Sequence, residues 1–363
     1  MTYRKIDYLE WARTFMGNVR FDLARSNVKS LTREELGLPD ALDLNIADEQ
    51  GHPELRKAIA ARVQADPARV LVTNGATAAI ALACSAVIQT GDEVLLESPN
   101  YEPLYRNPVH LGATVKMLER TFENGWQIDL EELERKISRR TRILILTNSH
   151  NPSGVATNPD KMLTIGQIAR DHGARVLVCE TFLDNLFKAK PVPCATQGDN
   201  FISIGSMSKI YGLGAIRIGW LVAAEQTVTR AKAAADYLAG GISAPSQAVA
   251  LHALREADRL VERCRKIVLA NLRIVGDWVR KRSDMNWVEP DAGTIALLKL
   301  PPHMDAMALS ILLREKYSTL VAPGDFFWLK GFIRVSLGID EDILRAGLKN
   351  LSSAIDELKS SKR

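Results

Sequence analysis

Seven short runs rich in Val, Ile and Leu punctuate the middle of the chain, at residues 70–73, 93–97, 114–117, 142–146, 175–178, 201–204 and 216–222. Most are apolar at consecutive positions, the pattern of strands buried in one sheet. Helical stretches separate them, at 77–89, 130–137 and 159–172, each bounded by Gly, Asn or Asp signals. Strands alternating with helices in this way predict a three-layer α/β/α domain around a mostly parallel seven-stranded sheet. From about residue 225 the pattern changes to long helices, including one over 246–282. A strand at 294–300, a helix at 304–316 and a strand at 332–336 follow. That is a smaller α+β unit. The expected division is a large domain over 41–239, with 1–40 and 240–363 forming the small one. The first forty residues, which lack a strand pattern, serve as an arm or as part of that small domain.

With 46% hydrophobic and 25% charged residues over 363 positions, the chain belongs with globular proteins that bury a large core. Cys84, Cys179, Cys194 and Cys264 share no close spacing with one another or with His pairs. Neither a disulfide framework nor a metal site is expected, and a reducing cytoplasm fits best. No apolar run approaches the length of a membrane span, and the amino terminus lacks the apolar core of a signal peptide. The net charge of +4 is spread among interleaved acidic and basic residues, which gives nucleic-acid binding no support.

Candidate chemistry gathers at the strand ends. Ser206-Met-Ser-Lys209 follows the run at 201–204, and Arg217 comes eight residues after Lys209. A lysine at the end of a buried strand is partly desolvated, which favours the neutral amine that attacks an aldehyde. Ser206 and the planar fork of Arg217 suit a phosphate dianion, so the segment can carry pyridoxal 5'-phosphate (PLP). Thr73-Asn-Gly-Ala-Thr77 opens a helix, where Gly75, Ala76 and Thr77 offer free N–H groups to the same anion. Each feature read singly has a plainer meaning. Lysines at strand ends are commonly solvated, Thr77 could simply cap its helix, and Tyr101 could be an ordinary core aromatic.

Taken in order, the motifs resemble those of the class I/II aminotransferase family, of the aspartate aminotransferase-like kind. They are Gln50-Gly-His-Pro-Glu-Leu-Arg56, Thr73 to Thr77, Pro99-Asn-Tyr101, Thr147-Asn-Ser-His-Asn-Pro-Ser-Gly154, Ser206 to Arg217 and Gly331-Phe-Ile-Arg334-Val-Ser. The match runs from about residue 43 to about residue 340. The resemblance implies the fold type I architecture of PLP enzymes and an aminotransferase reaction between an L-amino acid and a 2-oxo acid through a Schiff base on Lys209. It further implies that Tyr101 stacks on the cofactor ring, Asn151 meets its phenolic oxygen, and Arg334 holds the substrate α-carboxylate. Ser206, Arg217, Thr77 and the Gly75-Ala76 backbone would hold the phosphate. A homodimer with shared active sites follows from the same resemblance, as does a substrate pocket drawing on Ser26 and Asn27.

The chain departs from the family pattern in Val178-Cys-Glu-Thr-Phe182. Cys179 stands where the family has the aspartate that keeps the ring nitrogen protonated, and Phe182 where it has a tyrosine. Glu180 would supply the missing carboxylate if the strand carried a bulge. Ile46 replaces a family tyrosine that reaches the neighbouring subunit's phosphate. These departures leave open a same-fold PLP enzyme doing elimination, cyclisation or oxidation of an amino acid, of an arginine-modifying type. A non-catalytic PLP-binding homologue is a third reading.

Overall fold

A computed structural model describes residues 3–39, 41, 48 and 50–360; Ile46 lies outside them. The central sheet runs in the order Val70–Thr73, Gly219–Val222, Phe201–Ser206, Arg175–Cys179, Thr141–Thr147, Glu93–Ser98, Thr114–Glu119. Six strands point the same way, and Gly219–Val222 runs against both of its neighbours. Side chains alternate across the pleat. Ile143, Ile145, Leu177 and Ile204 pack with Ala79, Ile80 and Val228 of helices Gly75–Val87 and Glu225–Leu238. Leu144, Leu146, Val176 and Val178 meet Leu133, Met162 and Ile165 of helices Leu130–Lys136 and Pro159–Asp171 on the opposite face. With both faces covered, interior strands read as unbroken apolar runs; the edge strand Thr114–Glu119 alternates instead.

Helix starts differ in a way that matters for the site. Asn158 and Asp129 accept hydrogen bonds from Lys161 N (2.8 Å) and Glu131 N (2.9 Å), capping their helices. The helix Gly75–Val87 has no side-chain cap, so its first N–H groups stay available.

A second, antiparallel sheet runs Ala322–Pro323, Phe332–Ser336, Ile295–Lys299, Asn286–Trp287. Ile333 and Val335 enter a core shared with Val268, Val275, Leu344 and Leu351 of helices Ala257–Arg280 and Glu341–Ser360. Alternation along the strand therefore turns Arg334 to the other side. The amino-terminal segment joins this part of the chain. Phe21–Asp22 pairs in parallel with Thr319–Leu320, and helix Asp7–Phe15 packs Tyr8 and Trp11 against Leu320 and Phe327.

Three expectations are corrected. The strand expected at 216–222 begins only at Gly219, because Gly214–Ile216 forms a 3-10 turn and Arg217 adopts a left-handed φ of 53°. The helix expected at 246–282 is two, Ala244–Arg255 and Ala257–Arg280, interrupted at Glu256. Its buried stripe continues through Ala250, Ala253, Leu254, Ala257 and Leu260, so periodicity carries no sign of the interruption. The pair Phe21–Asp22 is too short to show a strand period. All four cysteines are buried and unbridged. Among the described residues no helix is long and apolar enough to cross a membrane, and no cluster of metal-ligating side chains occurs.

Gly219 lets the reversed strand lie against the start of helix Gly75–Val87: a Cβ there would stand 2.5 Å from the Gly75 carbonyl carbon and 2.6 Å from Ala76 N. Backbone cannot give way as a side-chain tip does. Gly219→Ala is expected to lower the unfolding free energy by about 1–3 kcal/mol, read as a reduced urea midpoint at unchanged slope.

Candidate active site

The C-terminal ends of parallel strands share one edge of the sheet, beyond which open α/β sheets place their ligands. Here that edge opens on a cavity of about 500 Å³. Thr73, Ser98, Thr147, Cys179 and Ser206 end strands there, and the turns that follow bring up Ala76, Thr77, Tyr101, Asn151, Phe182 and Lys209. Ser26 and Asn27 approach from the amino-terminal segment, and Arg334 from the second sheet.

Lys209 Nζ donates to Ser26 Oγ at 2.7 Å and has no carboxylate partner among the described residues. Burial, aided by the positive charge of Arg334, lowers its pKa to about 8; Cys179 opposes the shift, and Arg217 adds the least to it. A far larger share of the amine is thus neutral in ordinary buffer than at an exposed lysine.

Next to it is an anion cradle. The uncapped helix start presents Gly75, Ala76 and Thr77. Arg217 reaches over it, steadied by its Nη1 donating to Gly214 O at 3.1 Å. A Cβ on Gly75 would lie 2.4 Å from Arg217 Nη2, so the glycine is what lets the guanidinium close on the helix end. Ser206 and Ser208 line the same side. Backbone donors, hydroxyls and a guanidinium around a helix terminus fit a phosphate dianion.

Arg334 is 1% exposed and, among the described residues, forms no ion pair. Its Nη1 donates to Asn151 Oδ1 at 3.0 Å, and its Nη2 to Tyr8 Oη at 2.8 Å and Ala24 O at 3.1 Å. Nε is buried without a partner. The rings of Phe327 and Tyr8 lie 4.8 Å and 5.6 Å from the guanidinium carbon. A buried guanidinium held only by neutral groups suits a carboxylate arriving from outside. Tyr101 stands edge-on to Tyr8, ring centroids 5.9 Å apart, with its hydroxyl against that of Thr77.

Cys179 and Phe182 line the cavity, and Phe182 packs on Gly293. Burial raises the Cys179 thiol pKa, which keeps it neutral. Glu180 does not face the cavity, correcting the expectation of a bulge. The strand pairs in unbroken register on both sides, so Glu180 falls on the face opposite Cys179. Its carboxyl accepts from Ser203 Oγ and from Cys194 N, the latter at 3.0 Å. Tyr8 and the apolar wall of Leu9, Ala12 and Met16 had no signal in the sequence. Tyr8 meets Arg334 across 326 residues of chain, and nothing local marks it.

Two outcomes are expected. The ligand-free protein should react with PLP at a rate that rises with pH and is half-maximal near pH 8, the neutral amine being the nucleophile. A midpoint near the ordinary lysine value of about 10.4 would show a solvated Lys209. Burial raises Glu180 from 4.5 to about 7, so the fold keeps a proton that the unfolded chain releases. Its contribution to stability is complete below pH 4.5 and is lost as pH rises through about 7. Glu180→Gln should therefore gain stability relative to the parent between pH 5 and pH 8 in chemical denaturation, with the bound-cofactor spectrum unchanged.

Residues 23–351 match the family described as "Aminotransferase class I and II". Capreomycidine synthase of Streptomyces vinaceus is 28% identical over 359 residues, covering 95% of this chain and 92% of the relative. An aspartate aminotransferase of Streptomyces avermitilis is 26% identical, covering 85% and 81%. Among solved structures, a PLP-dependent aminotransferase from Streptococcus suis superposes with a TM-score of 0.92 at 28% identity over 98% of this chain and 99% of that one. The PLP-dependent cyclase OrfR gives 0.91 at 26% identity over 98% of each. An uncapped helix start beside Arg217, a buried lysine and a buried Arg334 on this α/β scaffold agree with those likenesses, and the chain belongs to the class I and II aminotransferase family, as a PLP-dependent enzyme of fold type I.

Proposed function

We propose that the protein moves the amino group of an L-amino acid to a 2-oxo acid, with Lys209 as its catalytic residue. One observation carries the reading: a lysine whose proton is loosened by burial lies within electrostatic reach of both Arg334 and Arg217, two guanidinium groups that form no ion pair among the described residues. Bound there, PLP supplies an aldehyde that condenses with amines and a ring that draws electrons from the substrate's Cα. Lys209 would be the nucleophile toward that aldehyde, and its amine, once freed by the substrate, would take the proton from Cα and deliver it to the former aldehyde carbon, the shift that turns the amino acid into a 2-oxo acid. Arg334 fixes the α-carboxylate, with Tyr8 and Asn151 holding the fork in place. Asn151 Oδ1 is committed to Arg334, which leaves its amide N–H groups to donate to the phenolic oxygen. Tyr101 covers the ring, and Arg217, Ser206, Thr77 and the Gly75-Ala76 backbone hold the phosphate. Ser26 keeps Lys209 in place, and Asn27 borders the substrate's side chain.

A second reading rests on Cys179. A neutral thiol beside the ring nitrogen offers no counter-charge, so the ring is a weaker electron sink. That favours elimination or cyclisation, and the likeness to a cyclase and to capreomycidine synthase supports it. An arginine-modifying version is disfavoured by charge. Lys209, Arg217 and Arg334 line the cavity beside Arg25, which is paired with Asp22 at 2.8 Å, and no Asp or Glu among the described residues lines it. A homodimer with shared active sites belongs to either reading. Tyr237 and Leu238, 91% and 55% exposed at the end of helix Glu225–Leu238, offer a second copy an apolar contact.

The test is the absorption of the PLP-loaded protein during addition of a panel of amino acids, with dissolved oxygen followed in the same cell. Bleaching of the visible band with equimolar 2-oxo acid and no oxygen uptake is the expected result. Ammonia release or oxygen uptake without a 2-oxo acid acceptor would shift the assignment to the second reading, and no response to any amino acid would indicate a non-catalytic homologue. Lys209→Ala should fold and lose all turnover.

A further inference from the structure

Behind the cavity wall lies an ion pair with both side chains fully buried. Arg120 Nη1 donates to Glu97 Oε2 at 2.8 Å, and both side chains are 0% exposed. A pair so desolvated contributes little to stability by itself, and an apolar pair of the same volume often does as well. What distinguishes this one is where its remaining valences go. Glu97 Oε1 accepts from Thr147 N and from Thr147 Oγ1, each at 2.5 Å, and from Asn100 Nδ2 at 3.3 Å. A carboxylate only accepts, so every group around it is forced to turn a donor inward.

That requirement propagates to the cavity along two routes. Thr147 spends its one hydroxyl proton on Glu97, so the same oxygen can only accept from the next partner, and Asn151 N donates to it at 3.1 Å. Asn100 spends its amide N–H on Glu97, which leaves Oδ1 to accept from Tyr101 N at 2.7 Å. Arg120 in turn binds the flanking loops, donating from Nε to Trp126 O at 2.5 Å and from Nη2 to Thr157 Oγ1 at 3.5 Å. Tyr101 and Asn151 sit on separate loops after different strands, yet one carboxylate sets the backbone of both.

We propose that Glu97, paired with Arg120, is a positioning residue that fixes Tyr101 and Asn151 relative to each other, acting through Asn100 and Thr147. The inference rests on the reading that Tyr101 and Asn151 face the cofactor ring. Its effect falls on how the ring is held, and on Arg334 through Asn151 Oδ1.

Two variants test it. Thr147→Val keeps the shape and the backbone bond to Glu97 but removes the hydroxyl relay, and Glu97→Gln with Arg120→Met removes both buried charges together. Each is compared with the parent for PLP loading, for the mass of Lys209 after borohydride reduction, and for the pH midpoint of the bound cofactor's absorption change. Both are expected to fold and to load Lys209 fully. In both, that midpoint should move by about one pH unit, the size of one lost hydrogen bond. The substrate KM should rise about tenfold, with a smaller change in kcat. Unchanged midpoints and KM values in loaded, folded variants would overturn the proposal and leave the pair a structural anchor. If the double variant does not fold, Thr147→Val decides alone. A parent protein that fails to load PLP would overturn both this inference and the reading beneath it. A shifted midpoint in a protein that turns over no amino acid would sink transamination alone.

Discussion

A cavity ringed by cations and lacking any described carboxylate is an unbalanced charge distribution, and much of the site can be understood as its management. Arg334 is buried, and a buried charge left without a counter-ion carries a penalty of several kcal/mol. The chain reduces that penalty with neutral acceptors, Asn151 Oδ1, Tyr8 Oη and Ala24 O, and with the faces of two aromatic rings. Lys209 answers the same field differently, by holding its proton less tightly than an exposed lysine does. Neither device cancels the positive potential. Ligands that bring a phosphate and a carboxylate complete the structure, and their binding stabilises the fold by mass action.

The mineral-like rigidity such a site requires comes from backbone more than from side chains. Tyr101, Asn151, Phe182 and Lys209 each stand three or four residues beyond a strand end, where the sheet register limits their position. Gly75 and Gly219 remove the Cβ atoms that would hold Arg217 and the reversed strand away from the helix start. Electrostatics and close packing therefore converge on the same few peptide units.

Residues whose position follows from a local rule were legible in the sequence. Lys209 and Asn151 stand just beyond apolar runs among turn-formers, and Arg334 alternates with Ile333 and Val335 on a short strand, whereas Arg217 reads as part of the run at 216–222 and stands on the turn before that strand. Glu180 illustrates the same rule from the other side. Its neighbour Cys179 faces the cavity, so a strand without a bulge must turn Glu180 away, and only the possible bulge left the matter open. What stayed hidden depends on distant contacts. Tyr8 has no period or motif, and the interruption at Glu256 leaves the buried stripe intact. Glu97 and Arg120 look like ordinary surface charges until the fold encloses them.

The single reversed strand of the central sheet has a consequence for how the site is inherited along the chain. Parallel neighbours need a crossover long enough to hold a helix, whereas antiparallel neighbours need only a turn. Because Gly219–Val222 runs backwards beside Phe201–Ser206, the twelve residues 207–218 suffice to join them, and Ser208, Lys209, Gly214 and Arg217 among them line the cavity. Lys209 and Arg217 thus travel together as one compact cassette. Changing the length of that segment would disturb Lys209 and Arg217 in a single step, whereas Ser26, Asn151 and Arg334 stand on separate stretches of the chain.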